Sequence, residues 1–376
     1  MNGEKPLRIL HVTGVMNRAG TETLLMNLYR KINREQVQFD YISYIPSDAH
    51  YDEEIRGMGG RVIKLRDPHS VWELYKAIKK NGPYEAVHGH LSFHCGITAL
   101  AARLAGIKVR ISHAHTTWED DRGWLRKMYL LSMKKLIQSC SSHLLSCSSE
   151  AATYLFGNEK SRKNKYIFFP NIIDYENFLK EPVDEVKQFK AKHQLEGQMV
   201  IGHIGRFIKS KNHRFLLQIL ANMVQKNKNV KLLLVGDGDL HAEIQKEALA
   251  EGLAEHIVFA GLREDIHTML HSMDVFVFPS IYEGLGLVLL EAQAAGLPCV
   301  VSEAIQPEAD LGLGLVQRAS LRQSSDYWAD LILELSGQKL HEEDQKVKGF
   351  IQNGNDYQSG VGKLLNIYQV SWSEKQ

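Results

Sequence analysis

Disulfide chemistry is what this sequence most plainly lacks. Four cysteines in 376 residues, Cys95, Cys140, Cys147 and Cys299, show no Cys-x-x-Cys spacing. Thiols this few and scattered exclude a covalent framework or a zinc–thiolate site and suit a reducing compartment. An excess of one charge is also missing. Lys and Arg number 45 against 44 Asp and Glu, a formal net of +1, so no overall field attracts nucleic acid and any anion site must be made locally. No long apolar run exists. The stretch from Leu285 to Val301 is broken by Glu291, Gln293 and Pro298 and cannot span a bilayer as a helix. The apolar run near the first residue is interrupted by Arg8 and His11 and does not read as a secretion signal, so the expected location is cytoplasmic. A GxGxxG dinucleotide fingerprint is absent too: Gly14 and Gly20 stand six apart with unmatched residues between them.

What remains is an ordinary globular composition, 44% hydrophobic and 24% charged, on a chain long enough for two domains. Short β-branched runs alternate with longer amphipathic stretches, the βαβ rhythm of a parallel sheet with helices on both faces. Strands are predicted at residues 8–14, 38–44, 61–65, 86–89, 109–113, 143–147 and 166–169, then at 199–205, 231–235, 257–260, 275–278 and 298–301. Helices are predicted at 21–31, 71–80, 97–105, 213–224 and 287–295. The rhythm pauses after Pro170, where prolines and charges replace strand formers until Met199. The expected division is residues 1–175 and 176–355, with a final amphipathic helix at 356–376 returning to the first domain. The fold class is α/β, two Rossmann-like halves.

The richest segment is PSIYEGLGLVLLEAQAAGLPCV. A strand ending at Phe278 leads into a loop holding Glu283, Gly284 and Gly286, then a helix carrying Glu291, eight positions after Glu283. A helix N-terminus presents unpaired N–H groups and partial positive charge, which suit a phosphate. Glycines admit a ligand close to the backbone, and a carboxylate accepts hydrogen bonds from two neighbouring sugar hydroxyls. Either glutamate alone reads as a helix-entry charge or a solvated helix residue; paired, with the glycines and the AGLP turn, they read as a site. Upstream, IGRFIKSK places Arg206 and Lys211 just past a strand, where open α/β sheets bind ligands. Such cations would take a diphosphate, Arg206 bidentately and Lys211 as a point charge.

Arg206 and Lys211 five apart, VGDG at 235–238, Glu283 with Glu291, and the AGLP turn together resemble the retaining GT-B glycosyltransferases of family 4. The resemblance covers essentially the whole chain. Runs such as NRAGTETLLMNLYRK, YDEEIRGMGGRV and ALAARLAGIKVR are similar to the EpsF-type enzymes of bacterial exopolysaccharide synthesis. It implies two Rossmann-like domains facing each other across a deep cleft, the first binding acceptor and the second nucleotide-sugar donor. It further implies that Glu283 contacts the donor hexose, Glu291 the ribose hydroxyls, Arg206 and Lys211 the leaving diphosphate, and Leu262 and Arg263 the nucleobase, uridine. Gly20, with the amides of Thr21 and Glu22, becomes a lid on the donor phosphates, although Thr21 and Glu22 also read simply as a helix start. His115 matches a histidine that approaches the donor sugar. The implied catalytic set is Arg206, Lys211, Glu283 and His115, and the implied donor-binding set is Gly20, Leu262, Arg263, Gly284, Leu285, Gly286, Leu287 and Glu291. No cofactor is implied: the nucleotide sugar is a co-substrate and transfer is metal-independent.

Histidines cluster in VHGHLSFHC and ISHAHTT, but their spacing completes no recognisable metal set. His113 is expected in the core, and His90 on the acceptor side. The segment RGWLRKMYLLSMKKLIQ at 122–138 reads as a basic amphipathic helix able to rest on anionic lipid, or as a packed helix with a solvated basic edge. Ile172 departs from the glycine many relatives carry, which bears on hinge geometry. Two other classes stay open: a non-hydrolysing nucleotide-sugar epimerase, whose paired acid/base residues are not apparent, and a non-catalytic nucleotide-sugar-binding subunit of a synthesis complex.

Overall fold

A computed structural model describes residues 5–18, 20–117, 123–162, 165–283 and 285–370. The chain divides into two compact units, Met1–Ile172 with Gly354–Gln376, and Ile173–Asn353.

The first unit is built on seven strands: β1 (Leu7–Val12), β2 (Val37–Ser43), β3 (Arg61–Lys64), β4 (Ala86–Gly89), β5 (Val109–Ala114), β6 (His143–Ser146) and β7 (Tyr166–Phe168). Their order is β3-β2-β1-β4-β5-β6-β7, and every pairing is parallel. Parallel strands covered on both faces read as continuous apolar runs rather than alternating ones. So it is here: Ile9, Leu10, Val12, Phe39, Tyr41 and Ile42 are all fully buried. The helix Gly20–Lys31 sinks Leu24, Leu25, Leu28 and Tyr29 into the cluster under Phe39 and Tyr41. The C-terminal helix Tyr357–Ile367 buries Val361, Leu364 and Leu365 in that same cluster. Its start is set by Asp356, whose side chain accepts from the Ser359 amide at 2.8 Å. Ile172, fully buried, lies so close to Gly360 that a Cβ there would meet its Cδ1 at 1.8 Å.

The second unit holds six strands: β8 (Met199–Ile204), β9 (Val230–Val235), β10 (Ile257–Gly261), β11 (Val275–Phe278), β12 (Cys299–Ser302) and β13 (Val316–Ala319). The order is β10-β9-β8-β11-β12-β13, again parallel throughout. Helices His213–Lys226 and Ser325–Leu335 cover it, with Leu216, Leu220 and Trp328 in the core. β13 is not signalled by the sequence. It is a four-residue edge strand, VQRA, whose Gln317 is exposed. Among the described residues no helix is long and apolar enough to cross a membrane.

Candidate active site

In the second sheet the strand order turns at β8 and β11. β9 and β10 continue outward from β8, and β12 and β13 from β11. Loops leaving the carboxyl ends of two such strands diverge, and that opening is where α/β sheets take ligands.

After β8 the chain passes Gly205, Arg206 and Phe207 into a 3-10 turn, Lys209–Lys211. Asn212, in the left-handed region at φ 59°, then starts the helix His213–Lys226. Two hydrogen bonds tie this loop to the one leaving β11. The Asn212 side-chain amide donates to the Pro279 carbonyl at 3.2 Å, and the Ile281 amide donates to the Ser210 carbonyl at 2.7 Å. The consequence is an ion pair across 72 positions of sequence, Lys211 Nζ to Glu283 Oε1 at 2.6 Å. Both side chains are largely enclosed, at 16% and 14% exposure. The same ammonium lies 4.9 Å from the centroid of the Phe278 ring, whose electron-rich face favours a cation.

Backbone contact explains the VGDG run: a Cβ on Gly236 would stand 2.2 Å from the Gly205 carbonyl oxygen. Gly286 has φ +89°, and a Cβ there would sit 2.8 Å from Phe278 Cε1, so chain packing alone demands glycine at this N-cap. Leu285 is buried, Leu287 half-buried, and Gly284 lies outside the described residues.

The helix Leu287–Ala294 is apolar nearly all round and packs as an interior helix. It carries Glu291 inward. Part of that side chain keeps solvent access, yet enough protein surrounds the carboxyl that burial pushes its pKa up to about 7. The carboxylate is thus only partly solvated. Among the described residues nothing hydrogen-bonds this carboxylate.

The remaining second-unit candidates are more dispersed. Arg206 is exposed and has no side-chain partner among the described residues. Leu262 is 79% exposed just past β10. Arg263 is engaged locally: its guanidinium grips Asp265 at 2.8 and 2.6 Å and lies 5.7 Å over the Phe189 ring.

In the first unit Gly20 is the exposed first residue of its helix. His115 follows β5, and burial pushes its pKa down to about 3, so it is neutral. Its Nε2 is 3.0 Å from His90 Nδ1. His90 in turn has Nε2 3.1 Å from His11 Nδ1. His90 is thus a buried link between His11 and His115, at 8% exposure. His113 is buried, as its core assignment expects. His11 carries no signal in the sequence; it sits alone in an apolar strand, and only the fold joins it to the other histidines.

Residues 18–177 match a family profile described as Glycosyltransferase Family 4, and residues 198–335 one described as Glycosyl transferases group 1. EpsF of Bacillus subtilis (strain 168), provisionally designated a glycosyltransferase, is 40% identical over 371 residues, covering 97% of each chain. An Escherichia coli enzyme named UDP-Gal:alpha-D-GlcNAc-diphosphoundecaprenol alpha-1,3-galactosyltransferase is 25% identical over 311 residues, 79% of each. Among solved structures, HepE of Anabaena in complex with UDP superposes with a TM-score of 0.80 at 16% identity, covering 96% of this chain and 100% of that one. That likeness is one of fold, the pair of parallel-sheet α/β units of GT-B glycosyltransferases. Identity of 40% along nearly the full length of both chains, with both profiles matched in order, means that this protein belongs to glycosyltransferase family 4.

Proposed function

We propose that this glycosyltransferase moves a hexose, with retention at the anomeric carbon, from a UDP-sugar to a glycan or lipid-diphosphate-linked saccharide in exopolysaccharide or capsule synthesis. The observation that carries the reading is the Lys211–Glu283 pair at the switch point of the second sheet, followed by a helix that encloses the unpartnered carboxylate of Glu291. A cation suits a diphosphate, and two carboxylates suit sugar hydroxyls. The donor and acceptor named for the Escherichia coli relative, and the UDP held by HepE, support the same substrate classes.

In this reading the acceptor oxygen attacks the anomeric carbon from the face that the diphosphate leaves. The bond from that carbon to the β-phosphate oxygen breaks, its electron pair stays on the diphosphate, and the acceptor proton ends on a diphosphate oxygen. Lys211, freed from Glu283 by the incoming phosphates, and Arg206 stabilise the negative charge as it develops. Glu283 then accepts from hexose hydroxyls and Glu291 from the ribose. With Lys211 and Arg206 supplying two positive charges to the diphosphate, transfer in this reading is metal-independent. The roles of Gly20, His115, Leu262 and Arg263 rest on the family resemblance.

The acceptor's lipid favours a membrane surface. On the helix Trp124–Cys140, Leu130, Ile137 and Cys140 are buried, while Trp124, Met128 and Leu131 form an exposed stripe at helical spacing, beside exposed Lys127 and Lys135. Apolar side chains flanked by cations fit anionic lipid. Flotation is therefore expected with anionic vesicles and not with neutral ones.

The test of the activity is incubation with UDP-hexoses and a polyprenyl-diphosphate-linked saccharide, with no divalent cation added. Acceptor-dependent UDP release and a product of unchanged anomeric configuration are expected. Conversion of the donor without acceptor would reveal an epimerase, and indifference to every nucleotide sugar would end the reading.

A further inference from the structure

We propose that the first unit binds one divalent transition-metal ion of the imidazole-preferring class, typified by Zn2+, through His11, His88 and His90, apart from the transfer chemistry.

The site is assembled by strand register. β1 and β4 pair in parallel with His11 directly opposite His88. Just beyond β4, the His90 amide donates to the Val12 carbonyl at 3.0 Å, which fixes His90 above the end of β1. One ring nitrogen from each of the three histidines lies within 4.8 Å of those of the other two. All three side chains are buried. Zinc–nitrogen bonds of about 2.0–2.1 Å in a tetrahedral site put ligand nitrogens about 3.3 Å apart. His11 Nδ1 and His90 Nε2, at 3.1 Å, already stand close to that spacing.

Metal-ligating histidines characteristically have the second ring nitrogen held by an outer partner, which fixes the tautomer and aims the lone pair. Two of the three show that arrangement. His88 Nδ1 is 2.8 Å from the Tyr368 hydroxyl, and His90 Nδ1 is 3.0 Å from His115 Nε2. The opposite nitrogen of His88, Nε2, is buried without a hydrogen-bond partner among the described residues. Buried polar atoms are rarely left so. Sequence spacing misses the set because His11 lies 77 positions before His88. A second triad, His90, His113 and His115, shares His90; we commit to the triad that is buried throughout.

The experiment uses the full chain without an affinity tag, stripped with a chelator and re-equilibrated with Zn2+ or Co2+. Elemental analysis after desalting should find one equivalent retained. At a hundredfold excess over Kd, the thermal midpoint of the first unit should rise by about 5–10 °C. Bound Co2+ should show the visible bands of a low-coordinate nitrogen site without thiolate charge transfer. H11Q and H88Q should each abolish retention while H113Q keeps it. No stoichiometric uptake by the wild-type chain overturns the proposal, as does retention by H88Q or loss confined to H113Q. If H88Q fails to fold, the wild-type Co2+ spectrum decides: the pale octahedral spectrum of the aqua ion overturns the site.

Discussion

Glu291→Gln separates what the carboxylate costs the fold from what it contributes to binding. Burial raises the folded-state pKa from 4.5 to about 7. The folded protein therefore binds this proton more tightly than the unfolded chain, and stability falls as pH rises from about 4.5 through about 7. At pH 8 the full penalty applies, about 3 kcal/mol as a ceiling, since one pKa unit is worth about 1.4 kcal/mol. At pH 4.5 only about 0.4 kcal/mol of it remains. Glutamine matches the shape and never ionises. The variant should accordingly melt higher than wild type at pH 8, by about 6–12 °C in the transition of the second unit, with the gap nearly closed at pH 4.5. Function should move the other way. Glutamine offers one acceptor oxygen where a carboxylate offers two charged ones, and a charged hydrogen bond contributes about 1.5–3 kcal/mol, so affinity for a UDP-sugar should fall about 10–100-fold. In the wild type that affinity should tighten about tenfold between pH 6 and pH 8, because the ligand selects the ionised carboxylate. The esterified diphosphate of the ligand keeps its charge over this range, so the change belongs to the protein. Differential scanning fluorimetry gives the melting series and calorimetric titration the affinities. A melting difference between variant and wild type that does not change with pH would refute the desolvation argument, and equal affinities would refute the binding role.

Lys211→Ala should lower kcat about 10²–10³-fold, the usual loss when one preorganised group facing developing negative charge is removed, with the second-unit midpoint shifted by no more than a few degrees; turnover within twofold of wild type at saturating donor would remove Lys211 from the chemistry. Gly360→Ala should destabilise the first unit by about 1–3 kcal/mol through overpacking against Ile172, and Ile172→Ala in that background should recover part of the loss; additive effects in denaturant melts would contradict the contact. Replacing Lys127 and Lys135 together by Ala should weaken partitioning onto anionic vesicles about 30-fold, at about 1 kcal/mol for each cation near the surface; sedimentation of both proteins with vesicles measures it, and unchanged binding would place the lipid contact elsewhere.

How far the sequence reaches depends on whether a feature is local. Buried parallel strands announce themselves because nothing in them needs to be polar: VFVF at β11 and VKLLLV at β9 read directly from the chain. β13 fails that test, being an edge strand in which Gln317 and Arg318 dilute the apolar signal. The candidate site is a matter of topology. The chain leaves β8, builds β9 and β10 on one side, and returns to lay β11 against β8 on the other, which is how Lys211 comes to face Glu283. General rules locate that opening at the carboxyl ends of the two strands; no rule of spacing selects which lysine meets which glutamate there. The same holds more sharply in the first sheet. Sequence proximity picks out His88, His90, His113 and His115 as neighbours, whereas the residue that completes a ligand set with His88 and His90, His11, enters through β1–β4 register alone. Glu291 is the subtlest case. Its helix, LVLLEAQA, has no polar face to present, so a carboxylate on it is forced inside with the leucines, and its raised pKa follows from the company it keeps. In the proposed function an occupant answers that penalty, and vicinal hydroxyls, two donors on adjacent carbons, are the simplest group that fits one carboxylate.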